Sequence, residues 1–91
     1  MLRTESPADP EALAIAVLGF LAEDSERLNR FLTLTGIDPS QIRLAAREAG
    51  FLTSVLDHLL ADEALLLAFS ANARVRPETI AAARRKLDPR D

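Results

Sequence analysis

Apolar side chains recur along this chain at the three-and-four spacing of amphipathic helices, separated by short polar or proline-containing breaks. The densest apolar stretch, VLDHLLADEALLLAF over residues 55–69, holds neither Gly nor Pro and reads as the centre of a small helical core. Asp9-Pro10 opens a first helix, with the acid as N-cap and Pro at the first helical position, where its missing N–H has no consequence. Leu13, Ala16, Val17, Phe20 and Leu21 then share one face, with Ile15 and Leu18 largely outside it. Asp24 or Ser25 caps a second helix whose stripe is Leu28, Phe31 and Leu32. Gly36 is free to end that helix in the left-handed conformation, and Ile37 to fold back on it as an apolar clasp.

Asp38-Pro39-Ser40-Gln41 combines an N-cap acid, Pro in the next position and Gln three residues after the cap, which is a capping-box arrangement. It predicts a third helix with Ile42, Ala45, Ala46 and Ala49 inward, ended or sharply bent at Gly50. A fourth helix follows from about Phe51 to Leu60, with Leu52, Val55, Leu56 and Leu59 inward. Asp62 either caps a fifth helix or lies within one continuous helix, and that segment carries Leu65, Leu66 and Phe69. After an ending near residues 72–74, Arg76-Pro77-Glu78 opens a last helix with Ile80, Ala83 and Leu87 inward. The expected fold is all-α, a compact five- to six-helix bundle in a single domain over residues 9–88. A disordered tail is expected at 1–8 and a frayed end at 89–91.

The chain also matches itself at an offset of 38 residues, over blocks 13–49 and 51–87. Val17, Leu18, Leu21, Asp24, Leu28 and Phe31 recur as Val55, Leu56, Leu59, Asp62, Leu66 and Phe69. Pro39, Ile42, Ala45 and Arg47 recur as Pro77, Ile80, Ala83 and Arg85. The pattern predicts a three-helix unit used twice: a packing helix, a break at Asp, a short helix with an apolar clasp, and a Pro-started helix. Two copies are too few for an extended solenoid, so a compact bundle is expected. The copies differ where Arg27, Asn29 and Arg30 face Leu65, Leu67 and Ala68 in the alignment. The fifth helix is thereby apolar nearly all round, as a helix that is central or covered by a partner would be.

Composition agrees with helix. Ala and Leu dominate, aromatics are 4% of residues, and 91 residues is the length of one domain. The net charge of -3 gives no reason to expect a polyanion partner. Cationic side chains nevertheless gather late, as Arg74, Arg76, Arg84, Arg85, Lys86 and Arg90. There is no Cys, which excludes disulfides and thiol chemistry and fits a reducing compartment. Acids and prolines occupy the N-terminus where a signal peptide needs apolar residues, and no apolar run approaches the ~20 residues of a membrane span. A soluble cytoplasmic protein is expected.

Catalytic chemistry finds little purchase. His58 is the only His, with Ser54 and Asp62 one turn to either side. Three successive turns of one helix do not supply triad angles, and no oxyanion hole accompanies them. Glu23, Asp24 and Glu26, and likewise Asp57, Asp62 and Glu63, follow neither a Ca²⁺-loop spacing nor the Glu-x-x-His pattern of helical di-iron sites. Gly19, Gly36 and Gly50 are isolated and build no phosphate loop. No catalytic, cofactor or metal residue is assigned, and no small-molecule substrate is implied.

Three segments taken together, LGFLAED from Leu18, RFLTLTGIDP from Arg30 and FLTSVLDHLLADE from Phe51, resemble a small bacterial domain-of-unknown-function family, number 3572, found mainly in alphaproteobacteria. The resemblance runs from about Pro10 to Pro89 and implies a compact helical cytoplasmic protein without assigned catalytic residues, cofactor or substrate. Among the positions it makes recurrent, Arg30, Asp62 and Glu63 are not accounted for by packing or capping alone. The expectation is a non-enzymatic protein that works through protein–protein contact or self-association. Leu18, Arg30, Asp62, Glu63 and Leu67 are its candidate surface, with Ile15 and Leu44 as further apolar residues off the main faces. The alternative is a nucleic-acid-associated regulator using Arg74, Arg76, Arg84, Arg85 and Lys86, whose mark would be strong salt dependence.

Overall fold

The computed structural model describes residues 9–87, so the expected disordered tail at 1–8, the frayed end and Arg90 lie outside the described residues. Six α-helices and one 3-10 turn follow in order: α1 (Pro10–Ala22), α2 (Ser25–Thr35), the turn Pro39–Gln41, α3 (Ile42–Ala45), α4 (Ala49–Leu60), α5 (Glu63–Ala73) and α6 (Pro77–Leu87). There is no strand among the described residues. The chain is an all-α bundle.

Local chemistry sets most of the boundaries. The Asp9 carboxylate accepts from the backbone N–H of Glu11 and Ala12 at 3.1 and 3.3 Å, and Pro10 takes the first helical position. Asp24 accepts from the Glu26 N–H at 2.9 Å and Asp62 from the Leu65 N–H at 3.1 Å, so each begins a new helix. The break at Asp62 resolves the sequence ambiguity: α4 and α5 are separate. Gly36 closes α2 in the left-handed conformation at φ 74, and half-buried Ile37 packs back on the core.

The third helix departs from expectation. Asp38 does cap its start, accepting from the Ser40 N–H at 2.9 Å and hydroxyl at 3.0 Å, bonds that hold its carboxyl below the usual range. Yet the segment makes only a 3-10 turn and four α-helical residues, with Ile42, Ala45 and Ala46 half-buried. It stops at Ala45, and Ala46–Glu48 form a turn, so Gly50 lies in the first turn of α4 and ends nothing. The side chain of Ala49 lies outside the described set.

The core is a three-helix contact of α1, α4 and α6, with α2 laid against α1 and α5 against α4. Val17 and Leu21 of α1, Val55, Leu56 and Leu59 of α4, and Ile80 of α6 are fully buried. The inward face of α1 is rotated from the one expected: Ala14 is buried and Ala16 exposed. Of the apolar stretch 55–69, only the part in α4 is central. In α5 only Phe69 is buried, Leu65 and Leu66 are half-buried, and the helix packs at the edge of the bundle.

The boundaries of α2 and α5 lie 38 residues apart at both ends. The helices α2 and α5 each have 11 residues, each follows a capping Asp, and each ends on a left-handed residue, Gly36 and Arg74. Phe31 meets the His58 ring edge-on at 5.1 Å, and Phe69 meets the Phe20 ring edge-on at 5.4 Å. Those two pairs are counterparts under the offset, with the partners exchanged between the halves. The correspondence fades after residue 41, where α3 stops short and α6 continues to Leu87.

Candidate interaction surface

Two surface regions draw on the residues singled out in the sequence. The first lies where the N-terminal half of α2 faces the corner between α4 and α5. Asp24, Glu26, Arg27, Arg30, His58, Asp62 and Leu65 line a depression of about 170 Å³. A second depression beside it is bounded by Arg30, Leu34, His58, Ala61, Asp62 and Glu63. Arg30 is thus brought beside the adjacent pair Asp62 and Glu63, distant from it in sequence, and His58 and Leu34 join them. Leu34 is 67% exposed and went unremarked in the sequence; its signal was a position well off the Leu28–Phe31–Leu32 stripe.

The electrostatics here are mixed. Burial holds the His58 imidazole below its usual pKa, against the pull of the Asp62 carboxylate and with a smaller push from Arg30. Arg27 places its guanidinium 4.3 Å above the Phe20 ring and 3.9 Å from Asp24, so it is committed to the scaffold. Ser54 donates its hydroxyl to the Gly50 carbonyl at 3.1 Å, turning back along its own helix. The first depression is below the roughly 300–1,000 Å³ of small-molecule pockets and the second, about 330 Å³, is at the bottom of that range, and the walls carry both signs of charge. Among the described residues no group of His, Cys, Asp and Glu is arranged to hold a metal ion.

The second region is the outward side of α5. Ala64, Leu67, Ala68 and Ala71 are exposed, Leu67 by 52%, and their spacing puts them within one arc of about 100°. No charge interrupts that arc. Glu63 and Arg74, both exposed, stand at its two ends. The counterpart positions on α2 are Glu26, Asn29, Arg30 and Thr33, also exposed and all polar.

The remaining candidates separate. Leu18 is half-buried and packed against the core, whereas Ile15 and Leu44 are exposed by 53% and 63%. Arg84 of the basic cluster is held in a two-bond ion pair with Asp57 of α4, at 2.6 and 3.2 Å. Arg74 and Arg76 precede α6 while Arg85 and Lys86 sit in its last turn, so the exposed cations fall into two groups roughly 12 Å apart along the helix.

Comparison with known sequences completes the description. Residues 7–90 match the family described as Protein of unknown function (DUF3572). The chain belongs to this family. No curated protein and no solved structure matches it. Within this DUF3572 fold no helix of the described residues is long and apolar enough to cross a membrane.

Proposed function

We propose that this DUF3572 protein is a non-enzymatic cytoplasmic interaction module, built from two copies of one helical unit, whose contact surface is the outward face of α5. One observation carries the reading: α2 and α5 occupy matching places, yet the outward face of α2 is polar and that of α5 is apolar. The fold therefore does not require Ala64, Leu67, Ala68 and Ala71 to be apolar there, since α2 fills the same role with Glu26, Asn29, Arg30 and Thr33. An apolar helix face left in water favours association. The depression beside it, with Arg30, Asp62 and Glu63, supplies a charged margin, as interface rims do.

A photo-crosslinking residue placed at position 67, with the same group at position 29 as control, tests the reading in cells producing the chain at its natural level. Adducts from 67 and none from 29 are expected. Equal adduct formation at both positions, or none at 67, would overturn it. The nucleic-acid alternative draws less support, because Arg84 is turned onto Asp57 and the other cations are divided.

A further inference from the structure

We infer that the occupant of the α5 face is a second copy of this chain, docked antiparallel about a twofold axis that passes between Leu67 and Ala71. This rests on the interaction reading above and adds the identity and geometry of the partner.

The argument starts from shape. Ala64, Ala68 and Ala71 put small side chains around a single large one, Leu67, all exposed on one arc. In an antiparallel pair each large side chain is received between small residues of the facing helix, as knobs enter holes. Here Leu67 of one copy meets Ala68 and Ala71 of the other, and the two contacts are equivalent by symmetry. A face with one protruding residue and adjacent small ones is complementary to itself, which is what an isologous interface requires.

Charge then selects the direction. Glu63 begins α5 and Arg74 follows its last residue, so the two opposite charges stand at opposite ends of the apolar face. Antiparallel pairing aligns the first with the last residue, so Glu63 faces Arg74 of the second copy, twice. Parallel pairing would oppose Glu63 to Glu63 and Arg74 to Arg74. Neither residue has an ion-pair partner within the chain among the described residues. Helix macrodipoles also favour the antiparallel arrangement. Two 11-residue helices with small side chains offer less than the ~1,600 Å² of a standard interface, so a weak, concentration-dependent dimer is expected.

Sedimentation equilibrium or light scattering on the purified full chain, from about 5 μM to 1 mM, reads this directly. The mass should rise from monomer towards dimer across that range. Leu67→Asp should remain monomeric with an unchanged circular-dichroism spectrum, and the milder Leu67→Ala should weaken association without threatening the fold. Glu63→Arg and Arg74→Glu should each weaken the dimer several-fold. Combining them should restore it to within about twofold, because the pair is re-formed with its signs exchanged. A monomer at every concentration overturns the inference, as does a dimer that survives Leu67→Asp. Failure of the double exchange to recover overturns the antiparallel register. A chain that is monomeric alone but still forms adducts from position 67 in cells would reject self-association and leave the interaction reading standing.

Discussion

At Arg74 the backbone adopts φ 59, the left-handed region, and no other non-glycine does so among the described residues. Gly36 does the same job at the end of α2 without a Cβ, whereas Arg74 carries a cost of order 1 kcal/mol. Arg74→Gly should therefore stabilise the monomer by about 0.5–1 kcal/mol in urea denaturation at low micromolar concentration, where association does not contribute. A destabilised variant would mean that the side chain makes contacts outweighing the backbone strain. His58 offers a second test, in pH. It takes the place that Phe20 holds in the other half, with its ring edge-on to Phe31. Its pKa is lowered by burial, so the unfolded chain takes up a proton more readily than the folded one. The stability contribution is fully present above the unfolded value near 6.5 and is lost as pH falls through the folded value. His58→Phe should keep the ring contact and remove this loss. The urea midpoint of the variant is expected to change less between pH 7.5 and 5.5 than that of the parent; equal changes would place the dependence elsewhere.

Among the elements, α4 is the packing hub and α5 an edge helix, and core substitutions should grade accordingly. Phe69 is 2% exposed and lies against Phe20, so Phe69→Ala should cost about 3–5 kcal/mol. Leu66 is only half-buried, and Leu66→Ala should cost about 1–2 kcal/mol in the same denaturation series. Equal losses would return α5 to the central position that its all-round apolarity suggested in the sequence. The sequence left α5 either central or covered by a partner, and it could not choose for a definite reason: periodicity reports which residues are apolar, and it cannot tell a face buried in the core from one left on the surface. The elements that were legible are those whose ends are chemically marked in the residues themselves. Asp9-Pro10, Asp24, Asp62 and Pro77 start helices through their own side chains, and Gly36 ends one. The end of α3 was not legible because Ala45 to Glu48 carry no breaking residue. Gly50 drew attention only by being glycine, although its helical place in α4 asks for no special conformation. Ala14 and Ala16 were exchanged for a related reason, since both stand at the edges of the α1 face and Ala fits either side of such a boundary. The grouping of Arg30, Asp62 and Glu63 around one depression could not be read from spacing either, because it depends on how α2 crosses the α4–α5 corner.

For the whole molecule, the exchanged ring pairs decide how it should unfold. Phe31 of the first half is held by Phe51 and His58 of the second, and Phe69 of the second half by Phe20 of the first. The buried core likewise draws α1 from one half and α4 and α6 from the other. Neither half can retain its core residues in an apolar setting once the other has opened. The 38-residue blocks should therefore be structural counterparts without being folding units, and unfolding should be one cooperative transition. Native-state hydrogen exchange on Phe69→Ala tests this at a distance from the substitution. Amide protection should fall by the same free energy in α1 and α4, although α1 ends 47 residues before the changed side chain. The opposite outcome, protection lost in α5 and α6 alone, would show that the second half opens by itself. In that case the core would be divided between the halves where the packing of α1 on α4 joins them.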